Sequence, residues 1–260
     1  VDTAKAGDTI LVAAGEYTES IEITKPIKLI GAGADKTTLN AKNDTSWYVI
    51  SLGRAGVYGD DLSGTVIEGF TINAPKVDTG DKAPIYLTAH GSDNNKIIIR
   101  NNNFVGQPRT ATQQGIGILT PYDLNIGDVE ITNNNFNTLK YGMYFNSIRD
   151  ALISGNTIDD TKYAGMVIAA DNTPYICSNV AITGNTLTNI SWKLKSEYNN
   201  PMYDSGICVG ANAETITVSG NNITMLNGKL QTFDSAKEAA VSNEAELKAA
   251  LGKENIETLL

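Results

Sequence analysis

Five segments of the chain repeat one pattern: apolar, any residue, apolar, polar, Gly or Asn, Asn, any residue, apolar. They run from Ile97 to Phe104, Val129 to Phe136, Ala151 to Ile158, Val180 to Leu187 and Ile216 to Ile223. A sixth, Thr65 to Ile72, carries Phe70 in place of the Asn. The closing residues Ile72, Phe104, Phe136, Ile158, Leu187 and Ile223 lie 32, 32, 22, 29 and 36 residues apart. A fixed motif at a varying interval describes a unit that stacks on its copies to bury a shared core and carries loops of different length.

Each segment holds two short strands. Period-two alternation sends Ile99, Ile131, Ile153, Ile182 and Val218 inward. Between the strands is a tight turn with Asn102, Asn134, Asn156, Asn185 or Asn221. Asn accepts left-handed backbone, and asparagines stacked coil on coil can bond to one another as a ladder. These residues are therefore expected to be scaffold and not ligands. A third strand recurs as Gly–apolar–x–apolar at Gly115 to Ile118, Gly142 to Phe145, Gly165 to Ile168 and Gly206 to Val209, with Pro84 to Leu87 in the earlier slot. Three strands per coil and no intervening helix predict an all-β, right-handed single-stranded parallel β-helix over residues 1–230.

The opening reads Ala6-Gly-Asp-Thr-Ile-Leu-Val, then Gly15-Glu-Tyr-Thr-Glu, then Ile21-Glu-Ile-Thr-Lys-Pro-Ile-Lys-Leu-Ile-Gly31. It resembles the first coils of pectin-lyase-like proteins, pectin methylesterases in particular. The resemblance implies the same solenoid, a helix turn over Val1 to Lys5, and an extracellular or cell-surface setting of the bacterial surface-protein type. At the far end, Asn243 and Glu246 form a capping-box pattern, with a helix expected through Leu247 and Leu251 to Gly252 and a strand over Ile256 to Leu260. Residues 231–260 thus read as a C-terminal α-helix that caps the solenoid or as the start of a second β-helix domain, which makes neighbouring domains of the same chain expected partners.

The net charge of −9 supplies no basic footprint for nucleic acid or anionic lipid. No apolar run approaches a membrane span. Cys177 and Cys208 leave open either one disulfide or two buried thiols.

Catalytic members of the resembled superfamily work on the outer face of the Gly–apolar–x–apolar sheet. Alternation turns Tyr86, Thr88, Gly117, Leu119, Tyr144, Asn146, Val167, Ala169, Cys208 and Gly210 to that face, and none is charged. Acid–base and glycosidic chemistry both need positioned titratable groups. The methylesterase motif Asp-Phe-Ile-Phe-Gly is absent. The polygalacturonase set is echoed only at Asn156-Thr-Ile-Asp159-Asp160, while His90 precedes it and no Arg-Ile-Lys follows. Asp159, Asp160 and Lys162 are the catalytic candidates that remain.

Aromatics make up only 7 % of the chain, yet they gather in the longest insertion, 188–205, with Trp192, Lys193, Lys195, Tyr198 and Tyr203. The matching loops below carry Lys140, Tyr141, Lys162 and Tyr163. Coils stack about 5 Å apart, which brings these residues beside Tyr144 as an aromatic, mixed-charge saccharide platform. The alternative is a set of rings covering the loop's own small core. No cofactor is expected beyond Ca²⁺, for which Asp60, Asp61, Asp78 and Asp81 are the candidate ligands. The reading favoured is a non-catalytic module for a polysaccharide or cell-surface glycan. A lyase or hydrolase with a loop-borne site, and a stiff spacer in a surface layer, are the alternatives.

Overall fold

The structure is a computed structural model and describes residues 1–54, 60–76, 80–88, 96–120, 126–168, 177–193, 205–210, 213–226, 230–234, 238–239 and 258–259. Three eight-stranded parallel sheets wind as eight coils, each coil passing from sheet A to sheet B to sheet C. Sheet A begins at Thr9–Val12 and ends at Ala213–Ser219; sheet B runs from Gly15–Thr18 to Asn222–Met225, and sheet C from Ile21–Ile23 to Leu230–Asp234. Val1 and Ala4 close a single turn, with the Ala4 N–H donating to Val1 O at 3.1 Å. The segment read as a C-terminal helix lies outside the described residues; beyond it Thr258–Leu259 pairs in parallel with Glu238–Ala239. No helix among the described residues is long and apolar enough to cross a membrane.

The inward rows align in register. Ile99, Ile131, Ile153, Ile182 and Val218 stack through sheet A. Ile72, Phe104, Phe136, Ile158, Leu187 and Ile223 stack through sheet B. The Phe104 and Phe136 rings lie parallel, 4.5 Å between centroids. This column is the core, and every coil contributes to it.

At the A–B turn the buried Asn102, Asn134, Asn156 and Asn185 and the half-buried Asn221 bond in series. The Nδ2 of Asn102 donates to Asn134 Oδ1 at 3.2 Å, Asn134 to Asn156 at 3.1 Å, Asn156 to Asn185 at 2.9 Å and Asn185 to Asn221 at 2.9 Å. Each Oδ1 also accepts the backbone N–H of the preceding coil, and Phe70 N–H closes the series on Asn102 at 3.1 Å. The left-handed residue of the turn stands one position earlier than the pattern suggests, at Gly69, Asn101, Asn133, Gly155, Gly184 and Gly220. The Gly-or-Asn slot answers the backbone's need for positive φ. The Asn slot answers the need to satisfy buried polar groups.

Sheet C corrects the glycine alignment. Gly117, not Gly115, pairs with the Gly142 position, because Ile116 stands opposite Tyr141 and Ile118 opposite Met143. Gly115 and Gly117 share parity, so alternation does not separate them. Gly117 does not face outward: a Cβ there would lie 2.6 Å from Phe136 Cδ1 in the core. Thr88 and Asn146 are buried, at 1 % and 6 % exposed, and are therefore not presented at that face. Thr88 Oγ1 is 2.8 Å from Ser51 Oγ, and Asn146 Nδ2 donates to Thr120 O at 2.8 Å. The outward row is Tyr86, Leu119, Tyr144, Val167 and Cys208.

Candidate functional site: the B–C corner

The site lies where sheet B turns into sheet C in coils 4 to 7. Backbone bonds stack this corner coil upon coil. Lys140 N–H donates to Gly115 O at 2.6 Å, and Lys162 N–H to Leu139 O at 2.8 Å. Tyr163 N–H donates to Lys140 O at 3.1 Å, Trp192 N–H to Thr161 O at 3.0 Å and Lys193 N–H to Lys162 O at 3.2 Å. Residues far apart in sequence are therefore held one strand spacing apart.

The side chains form alternating rings and cations. Lys140 Nζ lies 5.6 Å from the Tyr141 ring centre, and Lys193 Nζ 5.6 Å from that of Tyr163. Lys162 Nζ is shared between Tyr163 and Trp192, 5.8 Å from each. Arg109 crosses from the coil 4 loop to place its guanidinium carbon 5.4 Å from the Trp192 ring centre. Tyr141 packs against Tyr144 at 5.2 Å and Tyr163 at 5.4 Å. A cation over a ring face is attracted by the ring quadrupole, so these pairs hold one another in place.

Of the expected ligand contacts, Trp192 and Tyr144 are half-buried, with part of each side chain presented. Tyr141 and Tyr163 are not presented: they are 5 % and 9 % exposed. They join Ile116, Leu119, Val167 and Cys208 in a second apolar cluster outside sheet C. The physical reason is the uncharged outer row, which offers apolar surface for the rings to cover. Tyr141 and Tyr163 therefore support the lysines above them. Lys195, Tyr198 and Tyr203 lie outside the described residues.

The candidate carboxylates are engaged. Asp159 Oδ1 accepts from Thr188 Oγ1 at 2.7 Å and Asn189 Nδ2 at 2.8 Å. Asp160, in the left-handed conformation, accepts from Arg109 Nε at 2.7 Å. Lys162 Nζ donates to Thr112 O at 3.3 Å. Asp159 and Asp160 are thus each committed to partners within the fold.

The residues proposed for Ca²⁺ are likewise dispersed. Asp60 forms a bidentate ion pair with Arg54, the shorter contact being 2.8 Å. Asp61 accepts the Ser63 N–H at 2.9 Å, and its hydrogen bonds from Ser63 hold its carboxyl below the usual range. Asp81 accepts from Lys140 Nζ at 2.5 Å, and Asp78 lies outside the described residues. Among the described residues no three His, Cys, Asp or Glu side chains gather in a metal-binding cluster.

Two contributors are not marked as site residues by the sequence, although alternation places Tyr86 on the outer face. Arg109 belongs to a polar loop with no motif. Tyr86 donates its hydroxyl to Asp81 O, which links the outward row to the Asp81–Lys140 pair. Burial, and then the Asp81 charge, raise the Tyr86 pKa above the ordinary value of 10.0. The folded state keeps that proton after the unfolded state has released it. Stability contributed by Tyr86 is thus full below pH 10 and falls as pH rises beyond it. Urea melts between pH 9 and pH 11 are expected to show this fall, and Tyr86→Phe to reduce it; an equal fall in the variant would contradict the assignment.

These features define a solenoid whose side-chain chemistry is gathered along one corner. The chain belongs to the right-handed β-helix family, whose model, described as the right handed beta helix region, matches residues 55–244. No curated protein sequence matches the chain. Among solved structures it is similar to an alginate lyase from Paenibacillus sp. str. FPU-7, at 15 % identity over 89 % of this chain and 93 % of that one, with a TM-score of 0.40. It is also similar to the Streptococcus pneumoniae surface protein and adhesin PfbA, at 14 % identity over 87 % and 91 %, TM-score 0.41. A third similar structure is the mannuronan C-5 epimerase A-module of Azotobacter vinelandii, at 12 % identity over 88 % and 91 %, TM-score 0.36. Likeness at this level concerns architecture alone.

Proposed function

We propose that this chain is an extracellular or cell-surface module that binds a polysaccharide at the B–C corner without cleaving it. The observation that carries the reading is the array of Arg109, Lys140, Lys162 and Lys193 on Tyr141, Tyr163 and Trp192 across four successive coils. A linear polymer repeats, and so does this array, at a spacing of about 4.8 Å per coil. Lysine and arginine N–H groups suit sugar hydroxyls and acidic substituents, while the half-buried Trp192 and Tyr144 offer apolar surface to a pyranose ring. A non-catalytic role is supported by the engagement of Asp159 and Asp160 and by the uncharged outward row.

Titration against plant and microbial polysaccharides is expected to give saturable binding, weakened at least tenfold by Trp192→Ala and by the double change Lys162→Ala, Lys193→Ala. Unchanged affinity in both variants would remove the site. Release of reducing ends or unsaturated uronates would replace the binding reading with the lyase or hydrolase one. Absence of binding across the panel would leave the spacer.

A further inference from the structure

A groove of about 330 Å³ lies at the same B–C corner in coils 2 to 4, next along the solenoid from the platform. Asn40, Asp44, Asn73, Lys76 and Gln107 supply its polar lining. We propose that it is a second saccharide site, selective for a neutral, hydroxyl-rich sugar over a carboxylated one.

The amides are held in fixed orientations. Asn40 Nδ2 donates to Glu16 Oε1 at 2.7 Å, and Asn73 Nδ2 to Asn40 Oδ1 at 2.7 Å. Gln107 Nε2 donates to Ala74 O at 2.8 Å. These bonds fix each amide through one of its two N–H groups and leave Asn73 Oδ1 and Gln107 Oε1 with no donor among the described residues. A ligand that satisfies them must donate hydrogen bonds. Sugar hydroxyls do so, whereas an ionised carboxylate only accepts. Asp44 adds a further acceptor, paired with Lys76 at 3.4 Å.

The walls are pinned from beneath. Lys82, 6 % exposed, donates its ammonium to Asp44 O at 2.5 Å and to Lys76 O at 2.7 Å. One buried cation thus ties the coil 2 loop to the coil 3 loop.

The test follows the side-chain amide resonances of Asn73 and Gln107 in the ¹H–¹⁵N spectrum of the full chain. Methyl glycosides of glucose, galactose and mannose, and sodium galacturonate, serve as probes at constant ionic strength. At least one neutral glycoside is expected to shift both resonances saturably, with galacturonate at least tenfold weaker. Gln107→Leu and Asn73→Leu are each expected to weaken that glycoside at least fivefold, with backbone resonances of coils 5 to 7 unmoved. Trp192→Ala is expected to leave the shifts intact, so loss of the platform and loss of the groove register separately. No shift with any neutral glycoside, or equal binding of galacturonate, would overturn the proposal.

Discussion

Asn156→Ala is expected to lower the unfolding free energy by about 3–5 kcal/mol, seen as a fall in the denaturant midpoint with little change in slope. The side chain makes four bonds at once. Its Oδ1 accepts Asn134 N–H at 3.0 Å and Asn134 Nδ2 at 3.1 Å. Its Nδ2 donates to Ile131 O at 2.8 Å and Asn185 Oδ1 at 2.9 Å. Alanine has no group to replace any of them. The Asn134 N–H and Ile131 O then lose partners in a space closed to water, at about 1–3 kcal/mol for each buried group left unmet. Asn135→Ala is the comparison. That residue is exposed and donates one bond, to Asn103 Oδ1 at 2.9 Å. Its loss is expected to cost about 0.5 kcal/mol or less. Equal effects of the two changes would contradict a structural role specific to the buried asparagines.

Gly117→Ala is expected to destabilise by about 2–3 kcal/mol through overpacking. The new Cβ would stand 2.4 Å from Gly142 O and 2.6 Å from Phe136 Cδ1. The carbonyl belongs to the next strand of sheet C, and the ring is stacked on Phe104, so neither has a low-cost direction in which to move. Gly184 has a different reason to be glycine. Its φ is +64° and nothing lies within 4 Å of a built Cβ. Asn101 and Asn133 already occupy the equivalent place with φ of 56° and 55°. Gly184→Asn is accordingly expected to cost about 1 kcal/mol or less. Thermal melts of the two variants side by side separate a glycine required for space from one required for conformation.

The same contrast shows how far the sequence could be read. The coils were legible because inward positions recur with period two and the turns punctuate them. The left-handed slot was displaced by one because Asn101-Asn102 and Asn133-Asn134 place the same residue in both positions; Gly155, Gly184 and Gly220 mark the true slot. The sheet C register in coil 4 was ambiguous because Gly115 and Gly117 share parity. At the corner, Trp192, Lys162 and Lys193 could be found from loop position alone, since a solenoid brings equivalent positions of successive coils together. Arg109 could not, because it reaches Asp160 from 51 residues away by way of a loop that crosses coils. Nor could the burial of Tyr141 and Tyr163, because alternation gives the face of a residue and not what later packs over it.

The central claim, that Trp192 and its cations form a polysaccharide-binding surface, has one direct test. Trp47 and Trp192 are the two tryptophans of the chain. Trp47 is 52 % exposed and belongs to the coil 2 loop, five coils from Trp192, so Trp47→Phe leaves Trp192 as the sole tryptophan reporter. Titration of that variant with a polysaccharide it binds is predicted to change Trp192 emission saturably, with the midpoint of the binding curve measured independently. Binding with no change in Trp192 emission would contradict the account.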